Sequence, residues 1–470
     1  MKAFLIVIHI ALLYIPALFA VNEVDSLSNK ILVVSKIQII GNRTSKQWVV
    51  ERELDFKIGD TLSIYELNNA IEVSKINLTN TSLFNFIDVK FVMNDNVNAE
   101  IFIILQERWY LWPIPVFELA ETNFNSWWEN KDFSRINYGI DFTKYNFRGR
   151  NETLKILLQF GFTELVRISY STPYINKKKT IGFQIYGGYG QNHEINYLSS
   201  SNRRLFYKDV SNIQQRHVKS GFGINYRKKF YSKHWLGMSF TQVGISDTVV
   251  LLNSDYLLNG NNESQYLSLG YNYILDKRDN KNYAIEGFYA SVSFSKIGLG
   301  ILESDIDLWW SHLELKKYLK LGSRTYLAAS TRFQFYFNDL QPYYLSDGLG
   351  YSDKSTVRSY ELYVIDAQQV AIGKLQFRYQ LVAPKKYNLG FVPINKFKKI
   401  HYSVYLGIFG DVGYGNDKYG YPFNDLSNGL QYGSGVSIDL ATYYDLVFRI
   451  EYAINKFAEH GLFLHFVAPI

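Results

Sequence analysis

The sequence predicts a transmembrane β-barrel of 16 antiparallel strands behind one small N-terminal α+β domain. From about residue 134 onward, apolar residues recur at every second position almost to the end of the chain, a period typical of strands. Many of these stretches run for about 9 to 14 residues, longer than most strands of soluble sheets and suited to tilted membrane strands. Aromatic residues make up 17% of the chain, 38 of them Tyr, and these types favour strands and membrane interfaces.

The first 20 residues, MKAFLIVIHIALLYIPALFA, predict a secretory signal peptide, because an apolar core follows one lysine and ends at small residues. The alternative is a membrane-anchoring helix. No run of 18 apolar residues follows residue 20, so the sequence predicts no helical span. The chain has no cysteine, which excludes disulfides, thiolate metal sites and cysteine nucleophiles. The net charge of +7 is spread over many short segments, so no nucleic-acid partner is expected.

Residues 31–107 have mixed periods that predict a small α+β domain in the order strand, helix, helix, strand, strand. ILVVSKIQIIGN reads as a strand that ends at a turn. Ser63 with Glu66 three residues later forms a capping box that predicts the start of the second helix. FNFIDVKFVM and NAEIFIILQE then alternate as an antiparallel pair. Residues 108–133, rich in tryptophan, are predicted to join this domain to the barrel.

The barrel segments carry a charged face opposite a continuous apolar face. GKLQFRYQL is one example: Leu375, Phe377, Tyr379 and Leu381 alternate with Lys374, Gln376, Arg378 and Gln380. Such alternation is expected when the apolar face meets lipid and the polar face lines a wet lumen. A soluble β-sandwich has the same period, but the number and length of the strands favour the barrel.

Sixteen strands are predicted within residues 134–470. They lie near 134–146, 152–162, 163–173, 179–189, 202–210, 216–226, 235–245, 264–275, 284–297, 304–318, 323–337, 369–382, 400–414, 430–440, 443–454 and 459–468. An even number of strands puts both ends of the barrel on the side of the N-terminal domain. The long connection 338–368, between strands 11 and 12, is therefore predicted to be extracellular.

Several motifs resemble the outer-membrane protein-85 superfamily, the BamA/TamA-like proteins. IQIIGNRTSKQWVVERELDFKIGDTL, LFNFIDVKF and IFIILQER resemble a polypeptide-transport-associated (POTRA) domain. STVRSYE at 355–361 resembles the V-R-G-F/Y motif of the family's loop six, with Ser359 in place of the glycine. FGDVG at 409–413 resembles the F-x-D-x-G motif of the thirteenth strand, and LDKRDN at 275–280 resembles the D-x-R-D element near the eighth. ERWYLWPIPVFELAETNFNSWWE resembles the junction of single-POTRA members from Bacteroidetes-like bacteria.

The resemblance implies that loop six, residues 338–368, folds back into the lumen and that its arginine meets the aspartate of the strand motif. The alternating pattern of HYSVYLGIFGDVG independently directs Asp411 inward. An ion pair between Arg358 and Asp411 is therefore expected, with Val357 and Tyr360 as its motif neighbours. Glu361 and Glu451 are weaker alternative partners, and a solvent-exposed Arg358 is the remaining alternative.

The resemblance also implies a lateral gate where the first and last barrel strands meet. With strands at 134–146 and 459–468, the gate is expected to consist of Tyr138, Ile140, Phe142, Leu464, Phe466 and Pro469. The junction aromatics Trp109, Trp112, Trp127 and Trp128 are expected to form an interfacial belt at the periplasmic rim, or alternatively a stiff hinge that orients the POTRA domain.

The predicted function is assembly, insertion or translocation of polypeptides at the bacterial outer membrane, with the POTRA domain in the periplasm. The expected partners are unfolded or nascent outer-membrane or secreted polypeptides, outer-membrane lipids and accessory assembly proteins. No enzyme, metal site or cofactor is expected, because the eight histidines are scattered and no catalytic motif occurs; His465 is read as a lining residue. The alternative function is a transport channel or surface structural barrel without insertase activity.

Overall fold

The structure is a computed structural model that describes residues 30–467 apart from 96, 120–126, 129–130, 132, 229, 282, 339, 353, 389, 391–398, 420–423 and 443–445. The segment 1–20, predicted to be a signal peptide, and Pro469 lie outside the described residues. None of the helices that the structure describes is long and apolar enough to cross a membrane.

The N-terminal domain has the predicted order of elements with one three-residue strand added. Its elements are β1 (Ile31–Ile40), α1 (Gln47–Glu51), β2 (Thr61–Ser63), α2 (Ile64–Asn80), β3 (Phe84–Met93) and β4 (Asn98–Glu107). The sheet order is β2-β1-β4-β3, in which β1 runs parallel to β4. The predicted capping box is formed: Ser63 Oγ accepts from the backbone N–H of Glu66, and the Glu66 carboxylate accepts from the N–H of Ser63. Buried apolar side chains between α2 and the sheet form the core of this domain.

Sixteen antiparallel strands form one continuous barrel sheet within the described residues. They are β5 (Leu111–Leu119), β6 (Ile136–Phe147), β7 (Glu152–Gly161), β8 (Thr163–Thr172), β9 (Ile181–Asn192), β12 (Gln215–Tyr226), β13 (Ser232–Ile245), β14 (Glu263–Asp276), β15 (Gly287–Ile297), β16 (Leu308–Lys320), β17 (Thr325–Tyr336), β20 (Gln369–Asn388), β21 (Lys399–Asn416), β22 (Leu430–Thr442), β23 (Val447–Asn455) and β24 (His460–Val467). Four short elements lie in the described connections: the hairpin β10 (Glu194–Ser200) with β11 (Arg203–Lys208), the helix α3 (Asp247–Leu252), the 3-10 helix Tyr343–Leu345, and the pair β18 (Gly348–Leu349) with β19 (Ile365–Asp366). The predicted number of barrel strands is confirmed.

The two faces of the strands alternate as predicted. On β20, Leu375 and Leu381 are exposed while Gln376 and Gln380 are buried. On β21, Ile408 is 64% exposed whereas Asp411 is 4% exposed, which places Asp411 on the inward face. The apolar outward face and polar inward face are those of a barrel whose outside meets lipid.

Two strand predictions were wrong, and their errors cancel in the count. Residues 202–210 do not cross the barrel. They belong to the β10–β11 hairpin, whose strands have 7 and 6 residues and form a separate two-stranded sheet. The first barrel strand is β5, within the segment 108–133 that was predicted to be a junction. Proline cannot donate to a ladder, but β5 accommodates Pro113 and Pro115 because it is an end strand and pairs only with β6 in the described sheet.

The turns that follow even-numbered barrel strands contact the N-terminal domain. Asn146, at the end of the second strand, donates from Nδ2 to Ser45 Oγ at 2.9 Å. Arg52 donates from Nε to the carbonyl of Lys179, after the fourth strand, at 3.0 Å. The long connection between β17 and β20, the eleventh and twelfth strands, therefore begins at the opposite end of the barrel.

Candidate functional site

Loop six returns from that far end into the interior of the barrel. Val357, Tyr360 and Ile365 are each at most 2% exposed. They pack with Leu349 of the same loop and with inward residues at the start of β20, among them Ile372, in one apolar cluster. This burial holds the STVRSYE segment against the inner wall of the barrel.

Arg358 is bound by Asp411 through two parallel hydrogen bonds. Its Nε donates to Oδ2 at 2.8 Å and its Nη2 donates to Oδ1 at 2.5 Å. The backbone N–H of Arg358 also donates to Oδ2 at 3.1 Å. The guanidinium lies over the ring of Phe409, 3.7 Å from its centroid. Such a two-pronged, charge-assisted contact fixes both the side chain and the backbone of the loop. We call Arg358 and Asp411 the lumen pair.

Two glycines on neighbouring strands make room for this contact. A Cβ at Gly413, two residues after Asp411 on β21, would collide with the side chain of Val357. A Cβ at Gly433, on β22, would collide with the carbonyl oxygen of Arg358 and with Ser359 Oγ. The glycine of FGDVG is therefore explained by the close approach of the loop to the wall.

Ser359 adopts the conformation for which glycine is suited. Its φ is 78°, in the left-handed region that residues with a Cβ rarely occupy. Its hydroxyl donates to the carbonyl of Arg358, a local bond that partly offsets the cost of this conformation. Serine thus adopts the left-handed conformation here at a higher conformational cost than glycine would.

A network of charges surrounds the lumen pair. Glu451, on β23, lies with Oε1 3.4 Å from Arg358 Nη1 and with Oε2 3.1 Å from Nε2 of His465. Glu361 lies with Oε1 3.9 Å from the same imidazole nitrogen. Burial raises the pKa of the Glu361 carboxyl to about 7, against the opposing effect of His465. Loop six is thereby connected to three of the last four barrel strands, β21, β23 and β24.

Three of these side chains, Glu361, Glu451 and His465, offer potential metal-ligand atoms within 4.8 Å of one another. Glu451 already lies 3.4 Å from Arg358 and 3.7 Å from Arg449. Two guanidinium groups at these distances would repel a metal cation bound to Glu451. We therefore interpret the three residues as part of the ion-pair network, and His465 as a lining residue.

A second buried ion pair joins the N-terminal domain to the barrel. Arg227, in the turn after β12, donates from Nη1 and Nη2 to Oε1 and Oε2 of Glu53 at 2.7 and 2.8 Å. Tyr174 donates from its hydroxyl to Oε1 of Glu53 at 2.9 Å. Burial alone would raise the pKa of Glu53, but Arg227, together with Arg52 and Tyr174, holds it below the usual range. We call Glu53 and Arg227 the junction pair. Nothing in the sequence predicts this contact.

The gate residues expected on the first strand lie elsewhere. Tyr138, Ile140 and Phe142 are on β6, which pairs with β5 on one side and β7 on the other, so they do not lie at the end of the sheet. Leu464 and Phe466 lie on β24, the other end strand of the sheet order.

The four tryptophans expected to form one belt fall at opposite ends of β5. Trp109 and Trp112 lie at its beginning, beside the N-terminal domain, and Trp112 Nε1 donates to the carbonyl of Trp109 at 2.8 Å. Trp127 and Trp128 come after its end; Trp127 is buried and packs edge-on against Phe133. A single belt at one rim is therefore wrong.

The comparisons agree with this architecture. Residues 146–461 match the Omp85 superfamily domain, and because that match covers more than half of the chain, the chain belongs to the Omp85 superfamily. The fold is similar to that of BamA from Haemophilus ducreyi lacking POTRA domains 1–3, at 15% identity over 93% of this chain and 84% of that chain, with a TM-score of 0.54. It is also similar to that of CdiB from Escherichia coli, at 11% identity over 96% and 92% of the two chains, with a TM-score of 0.51.

No curated protein matches the chain in sequence. At these identities the structural likeness shows the fold alone. The superfamily points in general to insertion or translocation of proteins at the outer membrane and agrees with the prediction that the chain is not an enzyme.

Proposed function

We propose that this Omp85 superfamily member inserts polypeptides into the bacterial outer membrane, or translocates them across it, through a lateral gate between β5 and β24. The N-terminal domain lies in the periplasm and binds unfolded or nascent outer-membrane or secreted polypeptides. The outward apolar face of the barrel contacts outer-membrane lipids, and accessory assembly proteins bind the remaining periplasmic surface.

The end strand β5 is the observation that carries the gate. Pro113 and Pro115 are two residues apart, so their nitrogens point to the same edge of the strand. The ladder with β6 runs along the whole of β5, and proline cannot donate to a ladder. Both prolines are therefore expected on the edge away from β6, the edge that faces the seam. An edge that lacks two donors pairs weakly.

Loop six links the strands at the C-terminal end of the barrel to one another, whereas no such contact to β5 is described. Loop six bonds to Asp411 on β21 and contacts Glu451 on β23, which in turn contacts His465 on β24. Opening therefore separates β5 from a wall that the loop holds together. An incoming strand then pairs with the exposed edge of β24, the same mode of strand addition that peptides use at other sheet edges.

The N-terminal domain offers its own edge for a client. β3 is an end strand of its sheet, and Val92 and Met93 near its end are 51% and 47% exposed. Strand addition at β3 would hold an extended polypeptide near the barrel mouth.

Reconstitution into liposomes with an unfolded outer-membrane protein as client tests the function. We expect the yield of folded client to exceed that in empty liposomes. Replacing both prolines of β5, Pro113→Val with Pro115→Val, restores two backbone donors at the seam and should lower the yield. Ile140→Val on β6, at the position paired with Pro115, is the matched control and should not.

A yield equal to that of empty liposomes would reject insertion. A large, steady conductance that is the same with Arg358→Ala would then support the alternative, a passive transport channel. Loop six in the lumen favours low conductance, because its buried residues occupy the space that a channel would leave open.

A further inference from the structure

A polar cavity of about 340 Å³ lies where the N-terminal domain meets the mouth of the barrel. The end of α2, with Asn77 and Asn80, forms one wall. The barrel forms the other, with Arg227, Lys233 and Lys281 among its lining residues. This volume is within the range of pockets that hold small ligands, so the cavity can accept a side chain or a chain end but not a folded segment.

The carboxylates of the cavity wall are already neutralised. Glu53 is held by Arg227 and Tyr174 through three hydrogen bonds. Asp276, at the end of β14, accepts two hydrogen bonds from Arg278 at 2.8 Å each. A carboxylate that is held by a two-pronged arginine has little capacity left to balance a further cation.

Two lysines remain in excess. Among the described residues, no carboxylate lies within ion-pair distance of the amine of Lys233 or Lys281. Lys281 Nζ donates to the carbonyl of Asn80 at the end of α2, at 2.5 Å, which satisfies one donor without cancelling the charge. The cavity therefore has two lysines that no carboxylate of its wall balances.

Lys233 faces the cavity and not the lipid. The next residue of β13, His234, lies on the opposite face, where its ring contacts Tyr226 and Tyr273. Successive side chains of a strand point to opposite faces, so the lysine is on the inward face. A lipid headgroup outside the barrel cannot reach it, whereas a polypeptide that passes between the N-terminal domain and the lumen can.

We propose that this cavity binds a carboxylate of the client polypeptide, an acidic side chain or the chain end, through Lys233 and Lys281. This inference rests on the proposed function and specifies the chemistry that its periplasmic entrance recognises. The site is lined in part by the junction pair. A bound client therefore lies next to the contact that connects the N-terminal domain to the barrel.

The state of Lys281 gives the site a pH dependence. Burial lowers the pKa of its amine to about 7, and the nearby cations Lys233 and Arg227 act in the same direction while Asp276 and Glu53 act against them. The protonated amine binds an anion, so the affinity should fall as the pH rises from 6 to 8. This dependence should vanish in Lys281→Gln.

Fluorescence anisotropy of a labelled acidic peptide with the full-length protein in detergent micelles tests the site. We expect the double variant Lys233→Gln with Lys281→Gln to weaken binding at least 10-fold at pH 6. The same peptide with its carboxyl groups converted to amides should bind at least 10-fold more weakly to the unaltered protein. The control is Lys316→Gln, which removes a lysine of β16 that is paired with Glu314 at 3.1 Å, and it should bind as the unaltered protein does.

Equal binding of the acidic and amidated peptides, or unchanged binding by the double variant, would overturn the proposal. So would binding of inorganic phosphate that displaces the peptide while client insertion by the double variant is normal, since the cavity would then hold a small anion and not the client. Heat-modified migration on gels verifies that each variant is folded. Peptide binding does not require insertion, so a protein that binds the acidic peptide but inserts nothing would refute the proposed function and leave the carboxylate site standing.

Discussion

The lumen pair and the junction pair are two buried, two-pronged arginine-carboxylate contacts with different surroundings. Arg358 meets Asp411 inside one folded unit, where two glycines and an apolar cluster close around it. Arg227 meets Glu53 between two units, beside a polar cavity of about 340 Å³ that is lined by Lys233 and Lys281. We therefore expect the same chemistry to hold the lumen pair together more firmly than the junction pair.

Charge reversal at the lumen pair should have the largest effect. Arg358→Asp removes the partner of a buried carboxylate and adds a second one, and loss of one partner of a buried pair costs about 3 to 5 kcal/mol. We expect the compact, heat-modifiable barrel to loosen, measured by gel migration and by urea unfolding in detergent.

The swapped pair Arg358→Asp with Asp411→Arg is the informative control, because it restores opposite charges in the same place. We expect a partial recovery of stability. A single variant as stable as the unaltered protein would show that the lumen pair does not brace the loop.

Glu53→Gln should break the junction pair and leave the barrel intact. A charge-assisted hydrogen bond contributes about 1.5 to 3 kcal/mol, so we expect faster hydrogen exchange across residues 31–107 with an unchanged midpoint of barrel unfolding. Glu51→Gln, which alters an exposed side chain at the end of helix α1, is the matched control.

Acid should reproduce the effect of Glu53→Gln. The pKa of Glu53 is lower in the folded protein than its ordinary value of 4.5, so its contribution is complete above that value and is lost as the pH falls through the lowered pKa. Exchange rates in residues 31–107 that do not change between pH 6 and pH 3 would contradict the interpretation of this contact as an ionic one.

Glu361 should give the opposite pH dependence on the side of the lumen pair. Its folded pKa of about 7 lies above its ordinary value of 4.5, so its contribution is complete below pH 4.5 and is lost as the pH rises to about 7. The groups that face it are His465, Glu451 and Lys374. Glu361→Gln, which mimics the protonated form, should stabilise the barrel at pH 8 by up to roughly 3 kcal/mol and have little effect at pH 4.

Urea unfolding of Glu361→Gln at the two pH values measures this difference. Glu303→Gln, in an exposed loop, should change stability at neither pH. If Glu361→Gln has the same effect at pH 4 and pH 8, the carboxyl does not titrate in this range and the buried charge is balanced in another way.

The two contacts also differ in how well the sequence predicts them. Asp411 was placed inward because alternation with a period of two leaves only two choices of face, and Ile408 and its neighbours decide between them. Loop six was placed at the end of the barrel opposite the N-terminal domain, as in the structure. Both strand errors precede it: 202–210 was wrongly counted as a strand and 111–119 was missed. The two errors cancel, so the number of strands before the loop was still eleven. The pairing of Arg358 with Asp411 itself came only from the family resemblance.

The junction pair could not be predicted in the same way. Glu53 and Arg227 are 174 residues apart, and neither lies in a periodic strand whose face is determined by its neighbours. Their meeting depends on how one folded unit docks on another, which local patterns do not encode. The strand β5 was missed for a related reason: its segment was interpreted as a junction from its tryptophans and its family resemblance, whereas its place in the barrel depends on pairing with β6, outside that segment.

Substitutions of Ser359, next to the lumen pair, should have the smallest effect. They separate the conformational cost of its backbone from the contribution of its hydroxyl hydrogen bond. Ser359→Gly removes the Cβ from a residue at φ 78° and should stabilise the barrel by about 0.5 to 1 kcal/mol, because the left-handed conformation is then free of strain while the added flexibility of the unfolded chain offsets part of the gain. Ser359→Ala keeps the unfavourable conformation and removes only the hydroxyl that donates to the carbonyl of Arg358, so it should be destabilising. The midpoint of urea unfolding should therefore rise for glycine and fall for alanine. If both variants lower it equally, the hydroxyl bond outweighs the backbone strain, and serine is the better residue for this barrel.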